Sequence, residues 1–446
     1  MKENFKNRLC KIMNITGSNF DEIYSKKAFR GIRINTLKTN FNIVQKSFDF
    51  HLEPTPFFKD EYYIPSNFEK IGNTPLHHAG GFYVQEPSAT SVLSVLDVKA
   101  GDKILDLCAA PGGKSTGIAA LLNNQGLLWS NEYIRNRASI LLSNIERMGV
   151  SNCVVSSFDS KYLAEKLEGF FDTVLIDAPC SGEGMWRHNP LVENEWSESS
   201  VLECAQRQKE ILANGAKTLK SGGVLVYSTC TFSVEENEEN VKWFLENFND
   251  FSLEKIDLPF GQGGVFGDNN IDNKVKRIFP TQGGEGHFIA KFKKNKSFEK
   301  YDYNYITQDI SKENSKIVNA FLSDNFAKIP DGVLIEKNGL VYLVPHNTPK
   351  ILGDILRYGL FIGEIRKTRL EPSHALFACP SAVPKRILDL SLFDERVELF
   401  LKGNEIKINS DQNGYVGIMV EGCPLGFGKY SNGRVTNKYP KGLRLL

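Results

Sequence analysis

The chain has 446 residues, 41% of them hydrophobic and 24% charged, with a formal net charge of +1. That composition excludes a mainly disordered chain, and no run approaches the roughly 18 consecutive apolar residues of a membrane span. Eight cysteines without a CxxC pair exclude a disulfide scaffold and read as reduced thiols of a cytoplasmic protein, while Met1-Lys2-Glu3-Asn4-Phe5-Lys6 lacks the apolar core of a secretion signal.

The length predicts two to four domains. Residues 1–75 carry a net charge of +4, residues 76–293 of −8 and residues 294–446 of +5. An acidic centre between basic ends suits an enzyme core with two arms for a polyanion. In the middle third, Lys103–Leu107 reads as a strand, Lys114–Leu122 as a helix, Leu127–Trp129 as a strand and Arg135–Met148 as a helix. Cys153–Val155 and Thr173–Ile176 follow as strands. Val201, Leu202, Ala205, Leu212, Ala216 and Leu219 recur at helical spacing, Ser221-Gly222-Gly223 stops that helix, and Val224–Tyr227 is the next strand. This alternation predicts a Rossmann-like, doubly wound α/β core with its ligand site at the carboxyl ends of the strands. The polar run Lys293–Lys300 reads as a linker. Beyond it, β-like segments such as Val341–Val344 and Val416–Val420 dominate.

The loop after the first strand, Asp106-Leu107-Cys108-Ala109-Ala110-Pro111-Gly112-Gly113-Lys114-Ser115, opens a helix, and its small residues let backbone N–H groups approach a ligand. A phosphate-binding P-loop shares Gly113-Lys114-Ser115, but Cys108 occupies its first glycine position and Pro111 removes an N–H donor. Glu132 follows the second strand, Asp159 the third, and Asp177 ends the fourth. A row of carboxylates suits a nucleoside with a cationic sulfonium and repels a triphosphate, which favours S-adenosyl-L-methionine.

Two cysteines follow at later strand ends, Cys180 in Asp177-Ala178-Pro179-Cys180-Ser181-Gly182 and Cys230 in Ser228-Thr229-Cys230-Thr231. Ser233-x-x-Glu236 has the form of a capping box, so a helix is expected to begin there. No metal is expected, because Cys108, Cys180 and Cys230 lack paired spacing.

The stretches at 106–115 (DLCAAPGGKS), 177–186 (DAPCSGEGMW) and 228–238 (STCTFSVEENE) closely resemble the Sun-type RNA cytosine-C5 methyltransferases, over roughly residues 30–293. Arg33–Lys38, Tyr83–Ser88 and Arg277–Phe292 support the resemblance, and Pro280-Thr281 departs from the family's frequent Pro-His. The ending Gly426–Arg434 to Tyr439–Arg444 is similar to the PUA-like tail of the bacterial RsmF-type subgroup, which acts on 16S ribosomal RNA.

The resemblance implies a class I methyltransferase core at 76–293, a small N-terminal α+β RNA-binding domain at 1–75 and a linker at 294–305. It also implies a C-terminal RNA-binding region at 306–446, ending in a β-rich PUA-like domain at about 378–446. It implies methylation of a cytidine at C5, with ribosomal RNA or the small ribosomal subunit as partner. A tRNA substrate, or a non-catalytic role in ribosome assembly, is the competing expectation. Cysteine addition at C6 would make C5 nucleophilic. The DNA enzymes would point to Cys180 as nucleophile, whereas the RNA family points to Cys230, with Cys180 assisting elimination. Asp177 would lie between cofactor and base, and Lys114 would either hold Asp177 or position the cofactor loop. Cys108, Ala109, Ala110, Pro111, Gly112, Gly113 and Lys114 would wrap the methionine end of the cofactor. Glu132 would take the ribose and Asp159 the adenine side, with Arg137 a further candidate. Lys429, Arg434, Lys438, Lys441 and Arg444, with Tyr430 and Tyr439 among them, are expected to contact phosphates and stack on bases.

Overall fold

The structure, a computed structural model, describes residues 3–188, 196–297, 301–408 and 413–445. Two helices, Glu3–Met13 and Gly17–Ser25, lead into an antiparallel sheet of β1 (Arg30–Ile34), β2 (Glu53–Pro54), β3 (Glu61–Ile64) and β4 (Phe82–Gln85), in the order β2-β3-β1-β4. The central sheet follows with β5 (Lys103–Asp106), β6 (Leu127–Asn131), β7 (Cys153–Ser156), β8 (Phe171–Asp177) and β9 (Leu219–Thr229). It is completed by β10 (Phe251–Glu254), β11 (Lys276–Ile278) and β12 (His287–Lys294). Its order is β10-β12-β9-β8-β5-β6-β7. The β5–β6, β6–β7, β5–β8 and β8–β9 pairs are parallel, while β12 runs antiparallel to β9.

Both faces of this sheet are buried, and successive side chains alternate between two apolar layers. Leu105, Trp129, Val154, Val174 and Leu225 pack on one face, and Ile104, Leu128, Val155, Leu175 and Val226 on the other. The helices Gly113–Leu121, Arg135–Arg147, Ser160–Lys166 and Glu198–Thr218 supply the crossovers. Every expected strand and helix of this core forms, with its ends moved by a few residues. Ser221-Gly222-Gly223 lies inside β9 rather than between helix and strand, since Gly222 takes a φ of 71° within a strand that opens at Leu219. Leu202, expected on the apolar face, stands exposed.

The expected linker is shorter than the sequence suggests. Lys293 and Lys294 close β12, where Lys294 Nζ donates to the Leu219 carbonyl at 3.1 Å. Residues 298–300 of that linker lie outside the described residues. After the helix Lys312–Asn325, an antiparallel sheet is formed by Val333–Lys337, Leu340–Val344, Leu360–Arg366 and Arg369–Pro372. One strand of this region, Ile355–Tyr358, leaves it and pairs antiparallel with β7, adding an edge strand to the central sheet. A five-stranded sheet closes the chain, with Gly414–Val420 and Cys423–Ser431 at its heart.

The two basic ends meet. Ile32, Ile34 and Phe82 of the N-terminal sheet share one apolar cluster with Phe400, Ile418 and Tyr439 of the C-terminal sheet. Lys38 is buried where three regions join and donates to the carbonyls of Ala79 (2.7 Å), Arg147 (3.0 Å) and Pro424 (3.1 Å). The expected stacking tyrosines are buried instead. Tyr430 belongs to that shared core, and Tyr439 lies within hydrogen-bond distance of His78 Nδ1 (Oη–Nδ1 3.0 Å), because an amphipathic ring fills an interdomain gap as readily as a surface groove. Lys429, Arg434, Lys438 and Lys441 remain exposed, whereas Arg444 turns back to the Tyr439 carbonyl.

Candidate active site

β5, β6, β7 and β8 end on one edge, and their loops bring the expected residues together. Gly112, at a φ of 112°, turns the chain into the helix Gly113–Leu121, and a Cβ there would lie 3.2 Å from Leu141 Cδ1. Asp106 is fully buried. Its Oδ2 accepts from Ser115 Oγ at 2.6 Å, while Oδ1 has no protein partner, and burial pushes the carboxyl up to about 7. Glu132 is nearly buried, accepting from the Ile134 N–H at 2.9 Å and lying 3.4 Å from Arg137 Nη1. Arg137 also donates to the Ala110 carbonyl at 3.2 Å, tying the loop after β6 to the loop after β5. Asp159 is exposed and caps the helix Ser160–Lys166, accepting from the Lys161 N–H at 2.8 Å. Burial holds the Cys108 thiol well above its ordinary range.

Lys114, in the first turn of its helix, reaches the end of β8 and donates to Asp177 Oδ2 at 2.7 Å. Ser228 Oγ donates to Asp177 Oδ1 at 2.8 Å. Burial would raise the Asp177 carboxyl, but the Lys114 ammonium and these hydrogen bonds outweigh it and hold it below the usual range. Burial, and after it the Lys114 charge, lower His287 to about 3, so the imidazole is neutral, with Nε2 3.8 Å from Asp177 Oδ1.

Cys180 Sγ and Cys230 Sγ stand 3.4 Å apart. The hydrogen bond between them, together with burial, holds Cys180 well above the ordinary thiol range. Their loops are cross-braced. The Gly184 N–H donates to the Cys230 carbonyl at 2.8 Å, so close that a Cβ on Gly184 would lie 2.9 Å from that oxygen. Glu183, fully buried, accepts from Thr231 Oγ1, the Phe232 N–H, Ser233 Oγ and Trp196 Nε1 at 2.8–2.9 Å. Ser233 is therefore not the cap that its spacing to Glu236 suggests. Glu236 turns to the Ser181 N–H (3.0 Å) and Gln208 Nε2 (2.7 Å), and the helix starts at Glu238. Arg277 donates to Glu238 Oε1 from Nε at 2.6 Å and to the Phe232 carbonyl at 2.8 Å.

Sequence reasoning missed the bracing roles of Glu183, Glu236, Glu238 and Arg277, whose partners lie far along the chain. The signal available was the density of acids within otherwise apolar or hydroxyl-rich motif stretches. Among the described residues, no cluster of three or more His, Cys, Asp or Glu side chains is arranged to hold a metal ion, and no helix is long and apolar enough to cross a membrane. A cleft of about 660 Å³ between the core and the C-terminal region, lined by Lys103, Asn124 and His346 among others, opens at the opposite ends of the strands.

A doubly wound mixed sheet, parallel through β7-β6-β5-β8-β9 and with its polar loops on the carboxyl edge, is the architecture of a Rossmann-like methyltransferase. The profile described as 16S rRNA methyltransferase RsmB/F matches residues 93–293. Further profiles match the N-terminal domain of 16S rRNA methyltransferase RsmF (1–87), the RsmF rRNA methyltransferase first C-terminal domain (320–379) and the methyltransferase RsmF PUA domain (387–445). Ribosomal RNA small subunit methyltransferase F of Vibrio vulnificus (strain YJ016) is 33% identical over 433 residues, covering 93% of this chain and 91% of its own. The enzyme of the same name from Shewanella piezotolerans is 33% identical, over 94% of this chain and 92% of its own. The chain belongs to the RsmB/F family of 16S rRNA methyltransferases. Among solved structures, a methyltransferase homolog protein from Pyrococcus horikoshii is 28% identical with a TM-score of 0.55, covering 66% of this chain and 100% of that one. NSun6 from the same organism, solved with SFG, shares the fold at 23% identity, with a TM-score of 0.59 over 66% of this chain and 99% of that one.

Proposed function

We propose that the protein transfers a methyl group from S-adenosyl-L-methionine to C5 of a cytidine in 16S ribosomal RNA, through a covalent bond between Cys230 Sγ and C6. The observation that carries this reading is the pair of thiols 3.4 Å apart beside the Lys114–Asp177 ion pair, on the same edge as the loop 107–113.

The residues fit the cofactor. The buried, unpartnered Asp106 Oδ1 suits an α-ammonium, the loop Cys108–Gly113 suits the methionine backbone, and Glu132 suits the ribose hydroxyls. Asp159 would face the adenine side, and Arg137 would fix Glu132 and Ala110. The NSun6 structure holds SFG, an S-adenosylmethionine analogue, in the same fold. When bound, the cofactor supplies an electrophilic methyl on a sulfonium.

The chain's own residues do the rest. The Cys230 thiolate adds to C6, and the electron pair moved to C5 takes the methyl, whose bond to the cofactor's sulfur would break to leave a neutral thioether. The C5 proton then passes to water, its electron pair re-forms the C5–C6 double bond, and the Cys230–C6 bond breaks to return the thiolate, restoring the aromatic ring. Cys180, held as a thiol, is a poor competing nucleophile and stands where it can exchange a proton with Cys230 during elimination. Asp177, kept ionised by Lys114, accepts a hydrogen bond from the cytosine edge and favours N3 protonation as the adduct forms. The region 1–75 and the region 306–446, with its PUA-like part at about 378–446, would hold the RNA through the exposed Lys429, Arg434, Lys438 and Lys441. The site of action would be the cytoplasm.

Incubation of the purified protein with radiolabelled S-adenosylmethionine and small ribosomal subunits, followed by bisulfite mapping, tests the reading. Label in a bisulfite-resistant cytidine is the expected result. Label on another base, or tight binding of ATP without binding of S-adenosylhomocysteine, would overturn it.

A further inference from the structure

The segment Ile351-Leu352-Gly353-Asp354 belongs to the C-terminal half of the chain but lies against the central sheet. Ile355 pairs with Ser156 in antiparallel register, so the residues before Ile355 run past the carboxyl end of β7, alongside Ser157–Asp159. Four contacts fasten them there. The Ser157 N–H donates to the Asp354 carbonyl at 2.8 Å, Tyr162 Oη donates to the Leu352 carbonyl at 2.6 Å, and Arg135 pairs with the Asp354 carboxylate. Gly353, at a φ of 120°, lies so close to Phe158 that a Cβ there would be 2.7 Å from the ring.

This fastening holds Leu352 in solvent, 77% exposed, where an unpartnered leucine gains nothing. It is not alone. Tyr133 (69%) and Ile134 (50%) directly follow Glu132 and are also exposed, and Ser157 Oγ donates to the Tyr133 carbonyl at 3.0 Å, joining the two loop ends. Three large apolar side chains thus stand exposed at the ends of β6 and β7, Tyr133 and Ile134 next to Glu132 in sequence and Leu352 bonded through its carbonyl to the helix that Asp159 caps. An exposed apolar group rimmed by hydrogen-bond acceptors fits a flat heteroaromatic base with an amine edge, attached to a diol.

We infer that Leu352 forms the outer wall of the nucleoside end of the cofactor site, packing against the adenine base, so that the C-terminal region completes that site. The inference rests on the cofactor reading given above, and it goes beyond it by drawing in a residue some 200 positions from Glu132. Binding is reciprocal. A cofactor that touches Leu352 also holds the segment 351–354 on the sheet edge.

The test is calorimetric titration of the full-length protein with S-adenosylhomocysteine, in the wild type, Leu352→Ser and Leu352→Met, with hydrogen exchange at residues 351–355. Because Leu352 is exposed, neither substitution threatens the fold, and thermal unfolding of the free proteins checks this. Leu352→Ser is expected to weaken binding about tenfold and Leu352→Met less than about threefold, from the apolar area each leaves in contact. The amides of Gly353 and Asp354 are expected to exchange more slowly with the ligand present. Unchanged affinity in Leu352→Ser would overturn the inference while leaving the cofactor reading intact. So would a loss confined to RNA binding, which would make Leu352 an RNA contact. A wild-type protein that binds no S-adenosylhomocysteine would overturn the cofactor reading and this inference with it.

Discussion

On the proposed substrate side of the carboxyl edge, the loops after β8 and β9 are cross-braced by buried side chains, whereas on the proposed cofactor side the loop after β5 leaves the buried Asp106 Oδ1 without a hydrogen-bond partner. Glu183 alone accepts three hydrogen bonds from the Cys230 loop, and a fourth from Trp196 of its own connection. His287 is the exception there, with both ring nitrogens buried and unpartnered. The difference is one of timing. On the function proposed above, a thiol that has to reach C6 of one ring, with a second thiol beside it, gains from geometry fixed in advance, because a displacement of about 1 Å costs rate. A cofactor pocket instead keeps polar groups that the ligand itself satisfies.

The largest expected effect breaks the substrate side. Cys230→Ala is expected to abolish methylation and give no covalent RNA species, whereas Cys180→Ala is expected to accumulate an RNA adduct seen as a retarded band on a denaturing gel. An adduct from Cys230→Ala and none from Cys180→Ala would exchange the two roles. The bracing itself comes next. Arg277 and Glu238 are both buried, so Glu238→Gln leaves an uncompensated guanidinium and is expected to cost about 3–5 kcal/mol in thermal unfolding.

On the cofactor side the effects are smaller. Glu132→Ala is expected to weaken S-adenosylhomocysteine binding by about 1–3 kcal/mol, measured by calorimetry, with no change in unfolding of the free protein beyond about 1 kcal/mol. Asp106 gives the subtlest signature. Its carboxyl, raised to about 7 by burial, would have to ionise to pair with an α-ammonium as proposed. Affinity should therefore rise with pH up to about 7 and level off above it, by at most about tenfold per pH unit. Binding below pH 7 should release protons, read from titrations in buffers of different ionisation enthalpy, and Asp106→Asn should abolish both. In the free protein the same shift works the other way for folding. Between about pH 4 and 7 the folded state keeps a proton that the unfolded chain has lost, so stability falls as pH rises through that window.

The central sheet was legible because each strand is buried on both faces and therefore written as a short apolar run, with the reactive residues at its carboxyl end. Asp106, Glu132, Asp177, Cys180 and Cys230 could be placed on one edge by that rule alone. What local pattern could not show was partnership at a distance. Ser233-x-x-Glu236 has the spacing of a cap, but Glu183, some 50 residues earlier, competes for the same hydroxyl and wins. Tyr430 and Tyr439 have the composition of a stacking surface, yet both are buried in the apolar cluster that the N- and C-terminal regions share. Ile355–Tyr358 was invisible as part of the core because its pairing partner, β7, is about 200 residues away.

That last strand has a consequence for how the chain is made. As the protein emerges from its N-terminus, β7 is complete long before its neighbour exists, and at roughly 5–20 residues per second the wait is on the order of 10–40 s. Throughout it, the backbone groups along one side of Cys153–Ser156 stand unpaired, a template onto which another extended chain can add. The shortness of β7, four residues, limits the hazard. Only when Arg357 arrives, buried and donating to the Val150 carbonyl at 3.2 Å, is the border sealed. The catalytic sheet is thus finished by a segment synthesised after all of its other strands.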